Sequence, residues 1–103
     1  MGYELRIAPS AERDLDEILT YILLELGNLE AASKLVDEID ERYGKLEENP
    51  YLFEECRDSR LKLLGYRRIV VGGYLLIYRI DQASGIVYVE RVFSHLQDYT
   101  EKL

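Results

Sequence analysis

The residues Tyr3-Glu4-Leu5-Arg6-Ile7 alternate apolar and polar side chains, the two-residue period of a half-buried strand. Pro9 ends this stretch and the period changes. Leu15, Ile18, Leu19, Ile22 and Leu26 recur at spacings of three and four, which predicts one apolar stripe on a helix of about four turns. Ser10 is its expected cap, and Glu12 and Asp14 suit the positive end of its dipole. Gly27-Asn28 stops this helix and starts a second, predicted from about Leu29 to Glu48. Its stripe is Ala32, Leu35, Val36, Ile39, Tyr43 and Leu46. Asn49-Pro50 closes it, because the residue before a proline is pushed out of the helical region.

Tyr51 to Asp58 has no clean period, and Tyr51, Leu52 and Phe53 are expected to pack under the helix ends. Arg60 to Leu64 reads as extended until Gly65 interrupts it. The clearest signal comes next. Two runs rich in Ile, Val, Leu and Tyr, Arg67 to Val71 and Tyr74 to Ile80, flank Gly72-Gly73. A two-residue glycine link between such runs predicts a hairpin, since the turns that match strand twist need positive φ. Asp81 to Gly85 is a turn cluster, and Ile86 to Phe93 reads as a last strand. Ser94 to Leu103 is short, polar and expected to be partly helical.

The order is strand, helix, helix and three strands. Short turns join the last three into an antiparallel meander. A helical hairpin with one apolar face must lie on something, and the sheet is the only candidate. The prediction is an α+β fold: an antiparallel sheet of about four strands, with an N-terminal helical hairpin packed on one face. Its 103 residues suit a single domain over 1–103.

Charge is unevenly spread. The net charge is −7. Residues 1–59 hold 16 acidic and 6 basic side chains, and residues 60–103 hold 4 acidic and 7 basic ones. An acidic first part and a basic second part fit an anionic partner met by the second part alone, or acids that pair with those bases. Cys56 is the only cysteine, so no internal disulfide forms, which fits a reducing cytoplasm. No apolar run reaches the ~20 residues of a membrane helix, and no signal-peptide core is visible; no membrane partner is expected.

Standard nucleotide, zinc and hydrolase motifs are absent. One His and one Cys are a poor supply of metal ligands, so no metal or other cofactor is expected. The arginines are more informative. Arg67, Arg68, Arg79 and Arg91 fall on, or just outside, neighbouring predicted strands, among Tyr74, Tyr78, Tyr88 and Tyr99. Guanidinium forks bind phosphates and aromatic rings stack on bases, so such a face suits RNA or an extended peptide. The plainer alternatives are ion pairs with helix carboxylates for the arginines and core packing for the tyrosines. His95, at the end of the last strand, is the one side chain that titrates near neutrality unperturbed, and so is a candidate general acid or base.

From Tyr3 to about Tyr99 the chain resembles the RelE/ParE superfamily of type II toxin–antitoxin toxins, also called plasmid-stabilisation proteins. The resemblance rests on Ala11-Glu12-Arg13-Asp14-Leu15, on Ile18 with Tyr21-Ile22, and on Asn49-Pro50. It rests above all on the run from Tyr66-Arg67-Arg68 through Gly72-Gly73-Tyr74 to Tyr78-Arg79-Ile80-Asp81, then Val87-Tyr88-Val89-Glu90-Arg91-Val92-Phe93 and Asp98-Tyr99. It implies a toxin neutralised by a cognate antitoxin, and leaves room for a homodimer or a heterotetramer with that antitoxin. Two activities occur in such toxins. RelE-like members cut mRNA on the ribosome with basic residues and a late Tyr or His; ParE-like members poison DNA gyrase.

The residues leave open whether this chain is an enzyme. A RelE-like ribosome-dependent endoribonuclease would use Arg68, Arg91 and His95, with Arg67, Arg79, Tyr78 and Tyr99 contacting RNA or another target. However, Leu75 stands where RelE-like enzymes carry an arginine after Gly-Tyr, and His95-Leu96-Gln97-Asp98 replaces a Gly-Arg-Arg-Asp run. The pI of about 4.7 is low for a protein entering an rRNA site. ParE-like poisoning of gyrase is therefore slightly favoured, with an attenuated, non-toxic antitoxin-binding or autoregulatory module as a third reading.

Overall fold

The computed structural model describes residues 2–94 and residue 103. The first strand, β1, spans Glu4–Ile7; the first helix, α1, spans Pro9–Thr20 and continues as a π-helical turn over Tyr21–Glu25. The second helix, α2, spans Leu29–Glu48, and a short third, α3, spans Ser59–Leu63. Strands β2 (Tyr66–Val71), β3 (Tyr74–Asp81) and β4 (Ile86–Ser94) follow.

The sheet order is β1-β4-β3-β2. The last three strands form the expected antiparallel meander, but β1 lies parallel to β4, with Leu5 opposite Val87 and Ile7 opposite Val89. The sheet is therefore mixed, a correction to the all-antiparallel expectation. The helical hairpin is the crossover that allows this, since it carries the chain back before the meander begins.

One face of the sheet holds Leu5, Ile7, Ile69, Val71, Leu76, Tyr78, Val87, Val89 and Val92, packed on Ala11, Ile22, Ala32, Leu35, Ile39 and Leu46 of the helical hairpin. Residues two apart share a face, so alternate positions of each strand supply this core. The second face is partly covered: Leu61 of α3 and Cys56 pack on Ile77 and Phe93. Tyr78 is fully buried in the first core, and its hydroxyl donates to the Pro50 carbonyl at 2.5 Å. That bond ties β3 to the chain leaving α2.

Three local expectations change. Ser10 is not a cap: α1 begins at Pro9 after Ala8, whose side chain offers no acceptor, and the Ser10 hydroxyl donates instead to the Glu90 carbonyl. Leu26 does not join the apolar stripe but is 59% exposed. The π turn, closed by Leu26 N–H on the Tyr21 carbonyl, adds a residue to the turn and rotates Leu26 out of phase with the stripe before it. Finally, Arg60 to Leu64 is helical rather than extended. The Asp58 carboxylate accepts from the N–H groups of Arg60 and Leu61, and Gly65 leaves the helix at φ 88°, a left-handed exit that glycine makes without strain.

Candidate functional site

Strand register gathers three of the four sequence-predicted arginines, Arg68, Arg79 and Arg91, on the second face in two rows. In one, Arg68, Ile77 and Arg91 are direct neighbours across β2, β3 and β4. In the other, Tyr66, Arg79, Tyr88 and Arg6 cross all four strands. Adjacent strands lie about 4.8 Å apart, so Arg68 and Arg91 are separated by roughly 10 Å at the backbone. A bulge between the Ile77 and Tyr78 pairings makes this alignment. Tyr88 and Arg91 are three residues apart, so strict alternation would place them on opposite faces; the extra residue in β4 returns Arg91 to the side of Tyr88.

Each of these guanidinium groups is engaged. Arg91 donates from Nε to Asp14 Oδ2 at 2.6 Å and from Nη2 to Asp14 Oδ1 at 2.9 Å. It also lies over the Phe93 ring at 4.6 Å. Asp14 Oδ2 accepts a third bond from the Val92 N–H at 3.0 Å. Val92 lies beyond the end of β1, so the α1 carboxylate takes over where strand pairing stops. The hydrogen bond to Asp14 raises the Arg91 pKa further above its ordinary value. Arg79 pairs with Glu90 at 3.0 Å and covers the Tyr88 ring at 4.4 Å. Arg6 pairs with Glu4, and that bond, with a smaller contribution from Tyr88, raises its pKa.

Arg68 is the most enclosed, its side chain only 13% exposed, with Nε 3.1 Å from Glu54 Oε1. That contact is an ion pair without hydrogen-bond geometry, and Nε is buried with no hydrogen-bond partner among the described residues. Arg67 points to the opposite face from Arg68, donates to the Phe53 carbonyl at 2.7 Å and lies 5.2 Å from the Tyr51 ring centre. Tyr78, expected to contact a target, has no accessible surface; burial raises its hydroxyl pKa. His95 and Tyr99 lie outside the described residues. So Arg68, Arg79 and Arg91 share a face, Arg67 leaves it, and Tyr78 is core.

The family described as the ParE toxin of the type II toxin-antitoxin system, parDE, matches residues 5–99. The chain belongs to the ParE toxin family. No curated protein matches it. Among solved structures it is similar to the chromosomal ParDE toxin–antitoxin system of P. aeruginosa at 20% identity and a TM-score of 0.69, covering 89% of this chain and 95% of that one. It is also similar to the toxin–antitoxin complex RelBE2 of Mycobacterium tuberculosis at 24% identity and a TM-score of 0.62, covering 91% and 99%. A mutant of E. coli toxin RelE in the free state aligns at 14% identity and a TM-score of 0.69, covering 99% and 93%. At these identities the likeness is one of fold. This ParE-family chain thus has the α+β architecture that its hairpin and helix pattern suggested, in the RelE/ParE form that the resemblance implied.

Arg6, Glu54, Asp14 and Glu90 are the contributors that sequence reasoning missed. Arg6 was legible, since it alternates with Leu5 and Ile7 and must face away from the core. Asp14 was assigned to the helix dipole, a role open to any early helix acid. Its link to Arg91, across 77 positions, has no local signal. No described helix is long and apolar enough to cross a membrane.

Proposed function

We propose that this ParE-family toxin acts in the cytoplasm by binding a cellular target, with DNA gyrase the leading candidate, and is silenced by a cognate antitoxin. The carrying observation is the state of the second-face arginines. Arg68, Arg79 and Arg91 are each set against a carboxylate, and Leu75, at the position where a RelE-like enzyme would carry arginine, is buried. Cleaving RNA requires cations that face the phosphate as charge develops; cations already neutralised by fixed partners are poorly placed for that.

An antitoxin suits the opposite side. Residues 9–48 carry twelve acidic and four basic side chains, and the hairpin tip exposes Leu23, Leu24, Leu26 and Leu29, with Leu24 77% accessible. Contiguous exposed leucines mark an interaction surface. Their acidic surroundings call for an antitoxin segment with apolar residues flanked by Lys or Arg. The ParDE and RelBE2 neighbours come from toxin–antitoxin systems, in keeping with such a partner.

Induced expression, followed by separate measurement of plasmid supercoiling and of mRNA integrity, tests the reading. Altered supercoiling with intact mRNA is expected. Ribosome-dependent mRNA cleavage would refute it in favour of the endoribonuclease. That alternative draws on the Arg68–Ile77–Arg91 row and predicts that His95→Ala abolishes cleavage. Absence of any growth defect would favour the non-toxic module.

A further inference from the structure

We infer that a notch between α1 and the ends of β3 and β4 is a socket for an arginine side chain of a protein partner. The notch is an open cavity of about 360 Å³, on the helix-covered side of the sheet. That lies within the usual range of ligand pockets, ~300–1,000 Å³. Its lining combines the carboxylates of Asp14 and Glu17, the rings of Tyr21 and Tyr74, the aliphatic side chains of Ile18 and Val92, and Ser94. On the helix, Asp14, Glu17, Ile18 and Tyr21 fall at spacings of three and four and so share one stripe. Tyr21 begins the π turn, a local widening that recurs at functional sites.

The charges select the ligand. Asp14 already accepts three hydrogen bonds from Arg91 and Val92, so the Asp14–Arg91 pair is neutral as a unit. Glu17 forms no close ion pair among the described residues and acts on Arg91 only through space, so the three groups together keep one net negative charge. A lining that combines a carboxylate, two phenol rings and aliphatic carbon suits an organic cation. A guanidinium fits better than an ammonium: it is planar, weakly hydrated, stacks on a ring while forking to a carboxylate, and rests its methylene stem on Ile18 and Val92. The helical layer around the notch, with its excess of acids, draws a basic segment and repels the same layer of a second copy. Of the chain's own arginines, Arg68 and Arg79 are paired elsewhere, and Arg91 is taken up by Asp14 at the edge of the notch. The socket does not depend on which target the toxin attacks.

The test is an NMR titration of the ¹⁵N-labelled full chain with Nα-acetyl-arginine methylamide, against the citrulline analogue, which has nearly the same shape and no charge. The arginine probe should give saturable shifts confined to the amides around Glu17, Ile18, Tyr21 and Tyr74. Citrulline should bind at least about fivefold more weakly, the factor expected for one exposed cation–aromatic and carboxylate contact. Glu17→Gln and Tyr21→Ala, both at exposed positions, should each weaken the arginine probe about threefold or more with the fold unchanged. Equal binding of citrulline, or shifts centred elsewhere on the acidic helices and indifferent to both substitutions, would overturn the assignment. So would concentration-dependent broadening of the same amides without any probe, which would mean that a second copy fills the notch.

Discussion

Replacing Asp14 by Ala removes one carboxylate and, with it, three hydrogen bonds that join α1 to β4. Hydrogen bonds to charged groups contribute about 1.5–3 kcal/mol when enclosed, whereas exposed ion pairs contribute about 0–1 kcal/mol. The side chains of Asp14 and Arg91 are 14% and 26% accessible, so the fork falls between these limits, at about 1–2 kcal/mol. The Val92 N–H, at a sheet edge no longer covered by β1, adds about 1 kcal/mol when it loses its acceptor. The expected loss for Asp14→Ala is thus about 2–3 kcal/mol, a large share of the ~5–15 kcal/mol that holds a domain folded. Asp14→Asn keeps an acceptor for one donor and gives up the charge, so it should lose roughly half as much.

Urea unfolding followed by circular dichroism measures each loss, provided the m-value is unchanged. A cycle of Asp14→Ala, Arg91→Ala and the double variant isolates the pair, and about 1–2 kcal/mol of coupling is expected. In a thermal scan Asp14→Ala should lower Tm by roughly 10–20 °C, since 1 kcal/mol moves a domain of this size by about 4–8 °C. Coupling below about 0.3 kcal/mol, or an Asp14→Ala loss below about 0.5 kcal/mol, would refute the view that this carboxylate replaces strand pairing at the β4 edge.

Three further outcomes rest on single groups. Tyr78→Phe leaves the Pro50 carbonyl without its buried donor and should lower stability by about 1–2 kcal/mol in calorimetry. Burial pushes the Cys56 thiol from 9.0 up to about 11; because the native state resists ionisation, stability should hold below pH 9 and fall between pH 9 and 11. Cys56→Ala should flatten that fall by about 2 kcal/mol in denaturation curves. Gly72 sits at φ 57° with open space around its Cα, so Gly72→Ala should cost about 1 kcal/mol of backbone strain alone, while Gly73→Ala, free of that φ, should cost less.

What could be read from the sequence was set by local periodicity. The α2 helix ran over the expected residues because one unbroken stripe and two clear ends marked it, with Asn28 accepting from the Ala31 N–H at its start. The Gly72-Gly73 hairpin was legible for the same reason. Leu26 was misplaced because a π turn leaves no mark in a pattern of threes and fours. The α3 helix was missed because five residues are too few for a period, although Asp58 and Gly65 carried its two end signals. At the candidate site, parity placed Arg68 and Arg79 together, but only the bulge in β4 sets Arg91 beside them. Tyr78 was legible as strand and not as core, since both faces of β3 are apolar and the sequence does not rank them.

The uneven charge acquires a different meaning once the pairs are known. The basic second part of the chain suggested a cationic surface facing an anionic partner. In the fold, carboxylates of the acidic part reach across to it: Asp14 takes Arg91, and Glu54 stands against Arg68. Arg79 is matched within the sheet by Glu90. These cations therefore act first as structural ties: Arg91 joins the sheet to α1, Arg68 holds the segment beside β2, and Arg79 braces neighbouring strand residues. The acids left over lie on the two long helices, next to the exposed leucines of the hairpin tip. On the proposed reading, a partner approaching that layer is selected by its own cations and apolar side chains, not by its phosphates. On the same reading, an RNA reaching the sheet arginines would meet guanidinium groups whose charge is already offset, with only their remaining N–H donors to hold a phosphate.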